Sequence, residues 1–290
     1  MKKLLCLLLI WPLMVSAGQG DAYVETEQNG TYVETGQWQV SLAIGYGVKS
    51  NPLVGGDDLP LVLLPEFSYY GESFYLDNGD LGYTLVETEH YSASVVTRLN
   101  FERAYFSFLH PSNILLGQAA TASDQVETPS TGDGPYQVPS INDLSNRKYA
   151  IDGGIAVNVF LDNGHMIRAE VMQDVSGVHK GQNALVEYMA QQRFDEWRVS
   201  ATVGLKYKSR RLVDYYYGID QADGVDQLFY YQGSASIHPY VKVSAMYPLD
   251  EQWDLVGLAR WSKIGSGMAD SPVVEENTAS TLYAGVSYAF

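Results

Sequence analysis

The chain has 290 residues, 46% of them hydrophobic, and a formal net charge of −16. Such an excess of acidic groups repels the phosphate backbone of nucleic acids, so nucleic-acid binding is set aside. Cys6 is the one cysteine of the chain, which rules out a disulfide framework and a cysteine-ligated metal site.

The first 17 residues have the features of a secretory signal peptide. Lys2 and Lys3 precede an apolar run that reaches Met14, and small residues lead to Ala17. A membrane helix needs about 20 apolar residues, so the run is too short to span a bilayer. We expect cleavage near Ala17, which removes Cys6. The mature chain keeps 16 of the 18 basic residues against 34 acidic ones, a net charge of −18.

Most of the remaining chain divides into segments of about ten residues that alternate apolar and polar, which is typical of a transmembrane β-barrel. The alternation is clear in residues 38–48, 149–161, 197–208, 237–247 and 280–290. Weaker segments are 59–70, 73–87, 91–101, 165–175, 182–190, 211–219 and 253–264. We therefore predict an all-β fold, a transmembrane antiparallel β-barrel of about 12 strands over residues 37–290, with 10 or 14 strands as alternatives. Residues 18–36 are predicted to be an N-terminal periplasmic segment.

Aromatic residues recur at the ends of the outward rows. The pairs are Trp38 and Tyr46, Trp197 and Tyr207, Trp253 and Trp261, and Tyr288 and Phe290. Because amphipathic rings collect at membrane interfaces, the pairs favour two aromatic girdles over the general preference of strands for aromatic residues.

The lengths of the connections give a second test of the strand count. Counting from a periplasmic N-terminus puts the tight connections 208–211 and 247–253 on the periplasmic side, and the longer stretches 49–58, 220–233 and 265–278 outside. Residues 102–148 resist this scheme. The count puts this long, Pro-rich segment on the periplasmic side, where turns are usually short. It is predicted to be a periplasmic or lumen-entering element, unless residues 103–109 form an unpaired strand.

Six stretches of the sequence resemble the MltA-interacting protein (MipA) / OmpV family of outer-membrane proteins. They read "LPEFSYYGESFYLDNGDLGY", "YAIDGGIAV", "DVSGVHKG", "DYYYGI", "YPLDEQWDLVGLARW" and "DSPVVEENTASTLYAGVSYAF". Their order and spacing carry the resemblance over the chain from about Trp38 onward, although residues 102–148 look longer than is usual in the family. The resemblance implies an outer-membrane barrel. For the best-known branch it also implies a scaffold that brings a lytic transglycosylase and a peptidoglycan synthase together for growth of the murein sacculus.

Charged residues on the inward rows are the candidate site residues. The alternation directs Glu66, Arg98, Asp152, Arg168, Glu170, Asp174, Arg198, Lys206, Lys208, Lys242, Asp254 and Arg260 into the lumen. Because both signs are mixed, these groups can pair across a filled interior or line a narrow polar pore, and pairing is the stronger expectation.

Catalysis and metal binding have weaker support in the sequence. His110, His165, His179 and His238 have no nucleophile at a telling spacing, so no enzymatic activity is predicted. The acidic loops "GGDD" and "DQADGVD" lack the ordered ligand spacing of a calcium loop. No cofactor and no metal site are predicted.

The predicted function is a non-enzymatic scaffold in the cell outer membrane of a Gram-negative bacterium. It would dock periplasmic murein synthesis and lytic enzymes through its turns and residues 102–148. The alternative is a channel for small polar solutes or signals. The outward row ending in Tyr288 and Phe290 resembles the signal read by the barrel assembly machinery. The expected partners are therefore outer-membrane lipid, that machinery, a lytic transglycosylase and a peptidoglycan synthase.

Overall fold

The computed structural model describes residues 23–24, 33–107, 110–115 and 138–290. The predicted signal peptide at 1–17 and most of residues 18–36 lie outside these described residues. A two-residue ladder joins β1 (Tyr23–Val24) to β2 (Val33–Glu34). No helix in the described part of the chain is long and apolar enough to cross a membrane.

Twelve further strands close into one antiparallel barrel, as the alternation predicts. They are β3 (Trp38–Lys49), β4 (Leu59–Tyr70), β5 (Phe74–Asp77), β6 (Asp80–Glu87), β7 (Tyr91–Leu99), β8 (Ile151–Leu161), β9 (His165–Asp174), β10 (Gln182–Phe194), β11 (Trp197–Lys208), β12 (Ser236–Pro248), β13 (Trp253–Lys263) and β14 (Thr278–Ala289). Each strand pairs with its sequence neighbours, and β14 pairs with β3 to close the ring. Pairing between strands satisfies the backbone groups, which is the condition for a sheet to cross hydrocarbon.

The outer surface of the barrel is apolar. On β3, Val40, Ile44 and Tyr46 are exposed, whereas the inward Ala43 and Gly47 are buried. A large apolar surface of this kind is unfavourable in water and favourable against lipid tails.

Aromatic residues mark both rims of this surface. At the end that holds the start of β3 and the end of β14, ring centroids lie 5.3 Å apart for Trp38 and Tyr69, 5.1 Å for Trp197 and Tyr247, and 4.9 Å for Trp253 and Tyr288. At the opposite end Tyr46, Tyr207 and Trp261 are exposed. Two girdles result, with Tyr288 and Phe290 both in the first of them.

Two of the predicted strands were wrong. Residues 73–87 form a hairpin, β5 and β6, because Asn78 (φ 48°) and Gly79 (φ 99°) turn the chain. Residues 211–219 contain a helix, α2 (Arg210–Tyr217), with its buried side chains at Leu212, Val213, Tyr216 and Tyr217. One missed strand and one false strand leave the total at twelve.

These two errors reverse the direction of every strand between them. With the short turns placed on the periplasmic side, residues 100–150 join the outer ends of β7 and β8, and residues 209–235 join the outer ends of β11 and β12. The predicted periplasmic position of residues 102–148 and of the 208–211 connection is therefore wrong. The predicted sides of 49–58, 220–233, 247–253 and 265–278 agree with the strand directions.

The outer connections pack into a cap with its own apolar core. The cap contains η1 (Phe101–Phe106), α1 (Pro111–Ile114), α2, η2 (Gln221–Asp223), η3 (Gln227–Phe229) and α3 (Ser266–Ala269). Its core joins Leu53, Leu212, Tyr216, Tyr217, Met268 and Val273, all nearly fully buried. A buried core of this size holds the connections together, so they form a folded layer over the barrel mouth.

Candidate functional site

The lumen holds a cavity of about 440 Å³ that runs along the barrel axis. Its lining starts at the periplasmic end with residues 71–73 and Glu87, and it reaches Leu212 and Met268 of the cap. The cavity therefore faces the periplasm and ends beneath the cap.

The structure brings most of the predicted lumen residues to this cavity. The lining includes Glu66, Arg98, Asp152, Arg168, Glu170, Lys206, Lys208, Lys242 and Arg260. Asp174 is instead the last residue of β9, at its outer end, and its carboxylate accepts a hydrogen bond from the turn that follows. Arg198 and Asp254 lie near the periplasmic end, 3.8 Å apart.

One group of charges on β6, β7 and β9 pairs within itself. Arg98 lies 2.8 Å from Asp80 and 2.9 Å from Glu170, and Arg168 donates to the same Glu170 carboxylate. Asp80 is absent from the predicted lumen residues because a single strand over 73–87 does not place it at the start of β6, after the turn at Asn78 and Gly79. Charges paired in this way neutralise one another and leave little capacity for a charged ligand.

A second group, on β11, β12 and β13, is predominantly cationic. Lys242 lies directly opposite Arg260 in the register of β12 and β13. The Arg260 guanidinium carbon lies 4.1 Å from the centroid of the Tyr240 ring, and the Lys206 ammonium lies 5.7 Å from it. The Tyr240 hydroxyl donates to Glu187 on β10. Neither residue is among the predicted lumen residues, because Tyr240 carries no charge and Glu187 lies on β10, where the alternation is weak.

A third group, Asp152, Asp174 and His179, has the composition of a metal site. One potential ligand atom from each lies within 4.8 Å of the others, and all three residues are buried. Each atom, however, already has hydrogen-bond partners. The Asp174 carboxylate accepts hydrogen bonds from the backbone amides of Gly177, His179 and Lys180, the last two at 2.7 Å.

The Asp152 carboxylate also has hydrogen-bond partners within the protein. It accepts hydrogen bonds from the side-chain amides of Asn100 at 2.6 Å and Asn183 at 2.8 Å, and from His179 Nε2 at 3.0 Å. His179 Nδ1 accepts the Gly181 amide, which places the ring proton on Nε2. Because a metal would have to displace these bonds, the donor set fits a structural anchor and does not fit a metal ion.

Charged contacts fasten the cap to the barrel. Lys208, at the outer end of β11, lies 2.8 Å from Glu102 of η1, and the Tyr217 hydroxyl donates to the same carboxylate. Arg147 lies 2.9 Å from Asp223. Burial favours a raised pKa for Asp223, but the bonds from Arg147 and Ser145 outweigh it and hold that pKa below its usual value.

His110 lies within the same cap. Its ring stacks on Tyr149 with centroids 5.6 Å apart. Burial, helped by the charge of Lys49, lowers the pKa of His110 to about 4. The imidazole is therefore neutral at physiological pH, which suits a packing role.

The periplasmic end is exposed and acidic. Five turns join strands there, and each carries at least one exposed carboxylate: Glu72, Glu89, Asp162, Asp195 with Glu196, and Asp250 with Glu251. Arg193 is the basic residue beside them. Carboxylates concentrated on one rim produce a negative potential that attracts a positively charged surface.

Comparison with known proteins places this barrel in a family. The family model of MltA-interacting protein MipA matches residues 24–290. Outer membrane protein OmpV of Vibrio cholerae is 22% identical over 265 residues, 91% of each chain. MltA-interacting protein of Escherichia coli K12 is 24% identical over 254 residues, which cover 86% of this chain and 90% of the relative.

A solved structure similar to the barrel is the translocator domain of the autotransporter NalP from Neisseria meningitidis. It is 12% identical, covers 91% of this chain and 90% of its own, and has a TM-score of 0.36. The assignment comes from the family match, which spans nearly all of the barrel and agrees with the resemblance read from the sequence. The chain therefore belongs to the MltA-interacting protein (MipA) family and is an outer-membrane β-barrel.

Proposed function

We propose that the protein is a non-enzymatic scaffold that docks periplasmic murein enzymes on the periplasmic rim of its barrel. The observation that carries this proposal is the difference between the two ends. The outer mouth is covered by a packed cap, whereas the periplasmic rim presents exposed acidic turns. A barrel covered on the outside is poorly suited to steady solute flow and remains free to bind proteins on its inner side.

The class of partner follows from charge and from the relatives. An acidic rim favours partners with a basic face. A relative that matches along nearly its whole length carries the name MltA-interacting protein. We therefore propose a lytic transglycosylase as one partner and a peptidoglycan synthase as a second, with the turns as the contact surface.

Binding of the purified full-length protein in detergent micelles to each purified enzyme tests the proposal. Replacing Glu89 and Glu251 by Lys reverses two charges on separate turns and should slow association about tenfold, because rim charges act mainly on the association rate. The wild-type rate should also fall as salt is raised.

The matched control places the same two charge reversals on the outer side. Asp57 and Glu275 are exposed residues of the outer connections, and replacing both by Lys should leave association unchanged. Equal slowing by the two double variants would remove the periplasmic rim as the docking surface. Failure of the wild type to bind either enzyme would refute the scaffold proposal.

A further inference from the structure

The second group of lumen charges, on β11, β12 and β13, forms a cationic wall that contains Lys206, Lys242 and Arg260. In the described part of the chain, no carboxylate lies within ion-pair distance of Lys206 or Lys242, although five other lysine or arginine residues have such partners. Glu187 is the acidic group beside the wall, and its carboxylate accepts the Tyr240 hydroxyl. Among the described residues, Glu102 is a second carboxylate near Lys206, and it is already paired with Lys208.

The arrangement of these cations is unfavourable for the folded barrel alone. Lys242 and Arg260 occupy directly opposed positions on β12 and β13. Like charges in opposed positions of neighbouring strands destabilise a sheet.

Two polar groups beside Lys206 and Lys242 have no hydrogen-bond partner among the described residues. His238 lies opposite Lys206 on the neighbouring strand, and its Nδ1 accepts the Gly265 amide at 3.3 Å. The ring proton therefore lies on Nε2, which is buried and has no partner in the structure. The Thr202 hydroxyl, opposite Lys242, is also buried and unpaired. Buried donors without an acceptor are costly, and a bound anion would satisfy them.

We propose that this wall is a binding site for a small organic carboxylate that enters from the periplasm. Lys206 and Lys242 supply the charge, and His238 Nε2 supplies a directed donor. The same cavity is lined by Phe101, Met246 and Leu258, which offer apolar contact to the body of such a molecule. The cap closes the outer side, so the periplasmic end is the entrance.

Equilibrium dialysis of radiolabelled benzoate against the full-length protein, refolded in detergent at low salt, tests the site. Benzoate should bind saturably. Benzamide, which has the same shape without the charge, and inorganic phosphate, which lacks the apolar body, should each compete at least tenfold more weakly. Saturable benzoate binding with that order of competitors supports the proposal. Absence of saturable binding, or equal competition by benzamide or phosphate, overturns it.

Replacing Lys206 and Lys242 by Gln should weaken benzoate binding about a hundredfold, because each lost charge-assisted bond costs about tenfold. Arg198→Gln is the matched control, since Arg198 is an inward cation beside Asp254 and outside the cavity lining. It should leave binding unchanged.

Thermal unfolding of the same variants separates a binding role from a structural one. Removing unpaired cations should leave the unfolding temperature unchanged or raise it. A fall in unfolding temperature for the Lys206 and Lys242 double variant would identify the two lysines as structural and overturn the proposal. Lys242→Arg keeps the charge and should keep most of the binding.

Discussion

At the scale of single residues, the lumen is shaped by tyrosines that lie flat against glycines of the adjacent strand. A Cβ on Gly204 would come within 2.6 Å of the Tyr240 ring, and a Cβ on Gly45 within 2.8 Å of the Tyr283 hydroxyl. The missing side chains let each ring lie along the wall. Alternation cannot predict this arrangement, because it classes glycine merely as a small inward residue.

Gly204→Ala should therefore displace Tyr240 and its bond to Glu187. We expect a loss of about 1 to 3 kcal/mol in the free energy of unfolding, the usual range for overpacking. The measurement is a urea titration of the compact, heat-modifiable form in gel electrophoresis. Gly257→Ala is the matched control on β13, because a Cβ there meets no atom within 4 Å. Equal losses in the two variants would contradict the packing argument.

Residue patterns located the candidate site only in part. The inward face of each strand follows from its period of two, so Lys206, Lys242 and Arg260 could be placed in the lumen from sequence. Which charges pair depends on register and on long-range contacts. The bond from Asn100 to Asp152 joins a residue beyond β7 to β8, and no local pattern encodes it.

At the scale of elements, the hairpin at 73–87 and the helix at 211–219 each have a local sequence signal that alternation of apolar and polar residues does not detect. The letters "DNGD" around Asn78 contain the Asn-Gly pair that favours a two-residue hairpin. The buried residues of α2 are spaced one and four apart, as on one face of a helix. Because strand direction alternates, the missed strand moved the connections as far as 208–211 to the wrong side of the membrane, and the false strand at 211–219 returned the later ones to the correct side.

The last strand carries a prediction of its own. Phe290 packs edge-on against Tyr288 with centroids 5.0 Å apart, and its amide donates to the Val40 carbonyl across the closing seam. We propose that this aromatic pair serves as the assembly signal. Deleting Phe290 should lower the amount of heat-modifiable barrel in the outer membrane several-fold, whereas Ala289→Gly should change it little. Membrane fractions from cells that express each variant give the comparison, and equal amounts would refute the signal.

At the scale of the whole molecule, the cap covers the outer mouth of the barrel. The contacts of Glu102 with Lys208 and of Arg147 with Asp223 tie two connections to the barrel and to each other. Removing Glu102 should cost about 3 to 5 kcal/mol, because the Lys208 charge is left buried, whereas removing the part-buried Arg147 should cost less. A cap weakened at both points should spend part of its time displaced from the mouth.

Planar-bilayer recordings of the Glu102→Ala, Arg147→Ala double variant should therefore show conductance steps that the wild type lacks. Arg193→Ala, a charge removal on a periplasmic turn, should record like the wild type. Steady conductance of the unaltered protein would restore the channel alternative, since it would mean that the cap does not close the mouth.

The cap also spans the seam at which the barrel closes. Leu53, after β3, and Val274, before β14, form an isolated β-bridge. The Val54 amide donates to the Val273 carbonyl and the Glu275 amide donates to the Pro52 carbonyl, each at 2.9 Å. These contacts join opposite ends of the chain, so they form only after the seam has closed. Interactions made after the folding transition state slow unfolding without hastening folding. These contacts between the two connections should therefore slow unfolding of the closed barrel. The lifetime of the barrel in the membrane would then depend on contacts that lie outside the membrane.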